Sequence, residues 1–166
     1  MRRLYFNREL FARGVIAAFA AGVAHLFAWS ALRALMTTGV VVLCDALGAD
    51  AHRIDETRFS TGVMHVNVAV RCTQIHAYFL VAPLLWYRDR ALAWNLGFQA
   101  RICSAILGAA CMRTAISVIA YEQGIPWRLG HGVICAVMEF CLLLFVVRCQ
   151  PWSRPAPARV AVTVRA

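Results

Sequence analysis

Four long apolar stretches separated by shorter polar ones organise this chain. The first, Gly14 to Leu32, holds only His25 and Ser30 as polar members among nineteen residues. At about 1.5 Å per residue it nearly crosses a bilayer core of about 30 Å. A signal peptide is the competing reading, because Met1–Arg13 carries Arg2, Arg3, Arg8 and Arg13. The run is long for that role and lacks a clean A-x-A site before a soluble domain, so the pattern predicts an uncleaved first helix with a cytoplasmic N-terminus. Residues 34–49 are apolar but short, and Gly39, Asp45 and Gly48 interrupt them; they read as a re-entrant or interfacial piece. Asp50 to Ser60 is hydrophilic and reads as a loop. Val63 to Val70 is rich in β-branched residues and predicts a short extended segment running up to the membrane surface.

A second span runs from Cys72 to Tyr87 and is closed by Arg88-Asp89-Arg90. A third covers Ile102 to Tyr121, with Trp94, Asn95, Gln99 and Arg101 as interfacial residues before it. After the loop Glu122–Gly130, in which Trp127 reads as a membrane-belt residue, a fourth extends from His131 to Val147. The pattern therefore predicts an all-α fold, a multi-pass transmembrane bundle of about four spanning helices with an additional re-entrant segment. Residues 1–150 form a single integral membrane domain. Residues 151–166, with three prolines and Arg154, Arg159 and Arg165, read as a disordered basic cytoplasmic tail.

Composition agrees with a bilayer as the partner. Hydrophobic residues make up 61% of the chain, against roughly 45–50% in soluble domains. The net charge of +9 rests on 17 basic residues, all of them arginine. They cluster at segment ends without interleaved aromatics, which argues against nucleic acid as a partner. With four spans, the cytoplasmic pieces hold Arg2, Arg3, Arg8, Arg13, Arg88, Arg90, Arg148, Arg154, Arg159 and Arg165. The outer pieces hold Arg33, Arg53, Arg58, Arg71 and Arg128, offset by Asp45, Asp50, Asp55, Glu56 and Glu122. That asymmetry follows the positive-inside rule and predicts an inner (plasma) membrane protein with both termini cytoplasmic.

This topology gathers three chemically useful residues. Cys72 opens the second helix and His131 the fourth, both at the outer face. Arg113 lies about 17 Å along the third, past the midplane and able to snorkel outward. A thiol, an imidazole and a fixed cation are the minimal set for cysteine acyl transfer. A helix N-terminus and nearby cations favour a thiolate, an intramembrane arginine is costly without a partner or a function, and histidine exchanges protons near neutrality. Plainer readings stand beside these. Glu139 could be an ion-pair partner for Arg113 within the membrane. His76, four residues after Cys72, is either an alternative base or a helix–helix hydrogen bonder. Of the seven cysteines, Cys103, Cys111, Cys135 and Cys141 read as small apolar residues, and a Cys44–Cys72 disulfide stays open. His25, His52 and His65 have no ligand spacing, so no metal or other cofactor is expected.

The residues from Gly62 to Trp152 resemble the exosortase/archaeosortase family. The resemblance rests on Val66-Asn67-Val68-Ala69-Val70-Arg71-Cys72 leading into a helix, on Ala82-Pro83 before a basic turn, and on Arg113-Thr114-Ala115-Ile116. A histidine, His131, follows a short loop with Gly124 and Trp127. The resemblance implies a membrane cysteine protease/transpeptidase, active at the outer face on secreted proteins that carry a C-terminal transmembrane sorting tail. It makes Cys72 the nucleophile, His131 the general base and then acid, and Arg113 the cation for the thiolate or the oxyanion. Two departures flank the site. Thr73-Gln74 stand where the family has a small residue or Asn followed by Gly, and Ala110 where it often has Asn. The rival readings are a catalytically inactive relative or structural assembly subunit and, third, a small transporter or channel subunit, which the scarcity of polar residues along the spans disfavours.

Overall fold

The computed structural model describes residues 8–149. Arg2, Arg3 and the predicted tail 151–166 lie outside them. Five α-helices dominate: α1 Arg8–Ala24, α2 Ser30–Ala46, α3 Ile75–Val81, α4 Leu92–Glu122 and α5 Trp127–Cys149. Between α2 and α3 lies a three-stranded antiparallel sheet, β1 Ala51–Arg53, β2 Arg58–Thr61 and β3 His65–Asn67, in the order β1-β2-β3. The all-α expectation is therefore corrected to a mostly helical fold carrying a small sheet.

The predicted loop 50–60 is the first hairpin of that sheet. β2 and β3 alternate: Phe59 and Val66 face the core, while Arg58, Ser60, His65 and Asn67 face outward; in β1 only Ala51 is buried. Asp55 fastens the β1–β2 turn by accepting from the Thr57 and Arg58 amides, both at 2.8 Å. Those bonds hold its carboxyl below the ordinary carboxylate range. A carboxyl depressed in the fold contributes stability above its unfolded pKa of about 4, and that contribution is lost as pH falls through the depressed value. Protection of the Thr57 and Arg58 amides, their exchange measured against the intrinsic rate at each pH, should therefore fall on acidification below about pH 4, with little change above it.

The predicted first span, Gly14–Leu32, is not one helix. It ends at Ala24, and Trp29 adopts a left-handed conformation (φ 48°) before α2 begins. The Trp29 indole N–H donates to the Ala24 carbonyl at 2.6 Å, closing the end of α1. α1 runs antiparallel to α3, with Arg13 donating to the Pro83 and Trp86 carbonyls at one end and His25 stacked on His76 (5.1 Å) at the other. α2 then lies beside the far half of α4, closest where Gly39 faces the Cys111 thiol; a Cβ at Gly39 would sit 3.2 Å from that sulfur. Most of residues 34–49, read as a re-entrant or interfacial piece, thus belongs to the 17-residue helix α2, which ends at Ala46. α1 thus packs on α3, and α2, which follows after the turn, packs on α4.

The second predicted span is broken too. Val70–Thr73 form a single 3-10 turn, Gln74 is left-handed (φ 56°), and α3 is only seven residues long. Pro83, which has no N–H to donate, follows α3's end. α4, by contrast, begins ten residues before the expected Ile102 and reaches about 46 Å over its 31 residues. Asn95 and Gln99, expected at an interface, are buried. Asn95 accepts from the Tyr87 amide (3.0 Å) and donates to the Tyr87 carbonyl (2.8 Å), while Gln99 donates to the Ala82 carbonyl (3.2 Å). One helical turn apart, they clasp the α3–α4 connection. Replacing Asn95 by leucine should lower thermal stability in detergent by about 2–3 kcal/mol, because it strands buried main-chain groups; conservation of the wild-type melting temperature would refute the clasp.

α4 and α5 are each long and apolar enough to cross a membrane. α5 packs on α4 along one side, and only 6% of its most apolar stretch is buried. Val133, Val137, Phe140, Leu143, Leu144 and Val147 are all exposed on it. A soluble protein seldom exposes so continuous an apolar surface. The main core joins α2, α4 and the sheet through Met36, Val40, Phe59, Val66, Val68, Ala110, Ala115 and Val118, and Cys72 and Trp127 pack against it.

Candidate functional site

Ala110, Arg113, Thr114 and Ser117 form the buried stripe of α4, at the i, i+3, i+4 and i+7 spacing that lines one helix face. Arg113 is only 2% exposed. Its Nη2 donates to the Cys72 carbonyl at 2.9 Å and its Nη1 to the Cys135 thiol at 3.1 Å. Its Nε is buried without a partner. The two terminal nitrogens thus tie α4 to the turn before α3 and to α5.

His131 joins through a second link. The Ser117 hydroxyl donates to the Arg113 carbonyl at 2.8 Å and lies 3.2 Å from His131 Nδ1. A serine has one proton to give. With that proton directed at the carbonyl, His131 Nδ1 takes the donor role, and in the neutral ring Nε2 is then the acceptor. The ring is stacked on Trp127 at 4.8 Å and 13°. Trp127, expected in a membrane belt, instead fixes the plane of the imidazole.

Cys72, Arg113 and His131 are therefore gathered into one neighbourhood, with differences from the expected placement. Cys72 does not open a spanning helix; it sits half-buried in the 3-10 turn, three residues before α3. Arg113 holds its carbonyl rather than its sulfur, and the thiol has no hydrogen-bond partner among the described residues. His131 does not open α5, which starts one turn earlier at Trp127 because Pro126 supplies a start signal and carbonyls for Leu129 and Gly130. The Thr73 hydroxyl donates to the Val70 carbonyl at 2.6 Å and completes the turn.

Several side assignments change as well. No Arg113–Glu139 ion pair exists among the described residues. Glu139 instead lines a cavity of about 570 Å³ between α4 and α5 together with Arg101 and Gln74. His76 stacks on His25 and its Nδ1 is buried without a partner. All seven cysteines are free, so Cys44 and Cys72 are not bridged.

Two site residues escaped the sequence reading, Ser117 and Cys135. Each had a positional signal: Ser117 lies four residues after Arg113 and Cys135 four after His131, so each shares a helix face with a residue already singled out. No family model, curated protein or solved structure matches the chain.

Proposed function

We propose that this chain is a membrane-embedded cysteine protease or transpeptidase of the exosortase type, which removes the C-terminal sorting tail of secreted proteins at the outer face of the membrane. The observation that carries the reading is the buried Arg113 joined directly to Cys72 and, through Ser117, to His131. The Cys72 thiol attacks the scissile carbonyl, and its proton passes to His131 Nε2. A guanidinium N–H of Arg113 steadies the oxyanion. Collapse breaks the peptide bond, His131 returns the proton to the departing amine, and the tail leaves. Water or an acceptor amine, deprotonated by the same imidazole, then opens the thioester.

The four-crossing topology belongs to the same proposal, with α1 and α2 together as the first crossing and the α3 segment, α4 and α5 as the others. Arg113 lies 18 positions beyond Asn95 (113 − 95), about 27 Å along α4. If the Asn95 clasp marks the inner boundary, that rise carries Arg113 to the outer edge of a core of about 30 Å. The backbone also gives meaning to one departure from the family. Gln74 occupies a left-handed conformation at the position where the family has Gly. Gln74→Gly should therefore stabilise the protein by about 0.5–1 kcal/mol, read as a higher melting temperature; destabilisation would contradict the assigned backbone.

Expression of the chain beside a sorting-tail protein, with blots of that protein's size, tests the activity. Tail loss with wild type and retention with Cys72→Ala is the expected result. Equal tail loss in both would remove Cys72 as nucleophile.

A second reading has one specific observation in its favour: the thiol in contact with Arg113 belongs to Cys135, one turn from His131. In it Cys135 attacks and Cys72 is structural. Cys135→Ala separates the two. With Cys72 as nucleophile it slows tail loss by about 10-fold through a loosened Arg113; with Cys135 as nucleophile it abolishes it.

A further inference from the structure

The sheet has two edges, and only one is covered. On β1 the Ala51 amide is taken by the Asp45 carboxylate at the end of α2 (3.3 Å), and Arg53 reaches back to the Thr38 hydroxyl on that helix (3.0 Å). β3 is different. Bonds from Thr61 N–H to the Met64 carbonyl and from Val68 N–H to the Thr57 carbonyl fix Phe59–Val66 as a hydrogen-bonded pair of the antiparallel ladder. His65 and Asn67 are then in non-hydrogen-bonded pairs with β2, so their N–H and C=O groups point away from the sheet. Both residues are exposed, and no further strand adjoins β3 among the described residues. A concavity of about 370 Å³ lined by Ile54, Arg58, His65, Val66 and Asn67 lies beside this strand.

We infer that the open edge of β3 receives the extended segment of a sorting-tail protein just before its tail helix, as an added fourth strand running parallel to β3. The inference rests on the processing activity proposed above and names how that site takes its substrate. An edge strand with free main-chain groups is a template for an extended peptide. Continuity with the site selects the occupant. From Asn67 the chain runs only five residues to Cys72 and then turns into α3. A substrate aligned with β3 follows the same path: extended segment, scissile bond near Cys72, then a helix entering the bilayer. Charge narrows the segment further. The Arg33 Nη2 lies 3.4 Å from the Asn67 side-chain oxygen, and Arg33 has no carboxylate partner among the described residues, whereas Arg58, the cross-strand neighbour of Asn67, is paired with Asp55 at 2.6 Å. A segment bearing a carboxylate suits that edge better than a basic one.

The test uses full-length protein with Cys72→Ala to hold uncleaved substrate, and a photo-crosslinking amino acid placed at residue 65 or, as control, at residue 52 on β1. Co-expressed tail protein should crosslink from 65 and not from 52. In the protein with Cys72 intact, His65→Pro removes an edge N–H without touching the β2 ladder and should slow tail loss about 5-fold, whereas His65→Ala, which keeps that N–H, should slow it less. No crosslink from 65, or equal crosslinking from both positions, overturns the inference whatever happens to the tail. A misfolded His65→Pro is recognised by its lowered melting temperature, and the crosslink alone then decides. Absence of tail loss in wild type would instead sink the processing activity, and the crosslink from 65 would still report whether the edge binds the segment.

Discussion

Cys72→Ala should reduce tail loss by at least about a thousand-fold while leaving the melting temperature within about a degree of wild type. The first half follows from the proposed role of the sulfur: without a nucleophile, covalent catalysis has no first step, and binding contacts alone recover little of it. The second half follows from how the turn is held. Arg113 bonds the Cys72 main-chain carbonyl, which alanine keeps, and the thiol makes no hydrogen bond among the described residues. Removing one sulfur from a half-buried position costs little packing. The combination of a large rate effect with a small stability effect distinguishes a reacting residue from a structural one. A protein that loses stability yet keeps processing would fit the non-catalytic reading.

Arg113→Lys should do the reverse and damage both. Lysine keeps the charge, but a single ammonium on a flexible stem cannot reproduce two forked N–H bonds to groups on different elements. At a position only 2% exposed, losing one charged hydrogen bond and leaving its acceptor unpaired costs about 2–4 kcal/mol. The loss should appear as a melting temperature lower by several degrees in detergent, with tail loss slowed at least about 100-fold. Arg113→Leu should be no better, because the Cys72 carbonyl then loses its donor altogether. A double-mutant cycle with Cys135→Ala would measure how far the two sites act as one: strong coupling is expected from the 3.1 Å contact. Additive effects would mean that the Nη1 contact contributes nothing.

The parts of this fold legible in the sequence are those where a hydrophobic run and a helix coincide. α4 and α5 were readable for that reason, although each starts earlier than its apolar run, because the polar residues in the first turns of α4 are buried by hydrogen bonds to the preceding turn. The break after Ala24 was not readable. Residues 25–29 are nearly as apolar as their neighbours, and the turn depends on a long-range choice, the Trp29 indole reaching the Ala24 carbonyl. The sheet was half readable. The alternation through Arg58-Phe59-Ser60-Thr61 was present, but overall polarity masked it. At the site, Cys72, Arg113 and His131 stood out by chemical type and order. Ser117 and Cys135 did not, because a serine or cysteine in an apolar run carries no signal until a partner one turn away is considered. The direct partner of Cys72 could not be anticipated either, since main-chain carbonyls have no signature in a sequence.

The central position of α4 has a consequence for biosynthesis. α2, α3 and the sheet emerge from the ribosome before it, and α5 after it, so the residues of the site are translated in the order 72, 113, 117, 131, 135. Until the first two turns of α5 have been made, Arg113 can hold the Cys72 carbonyl, but neither imidazole nor second thiol is present beside it. If the proposed topology and mechanism hold, the nascent chain passes the early stages of membrane insertion before His131 stands beside the Cys72 turn. On the proposed mechanism, chemical competence arrives only with α5.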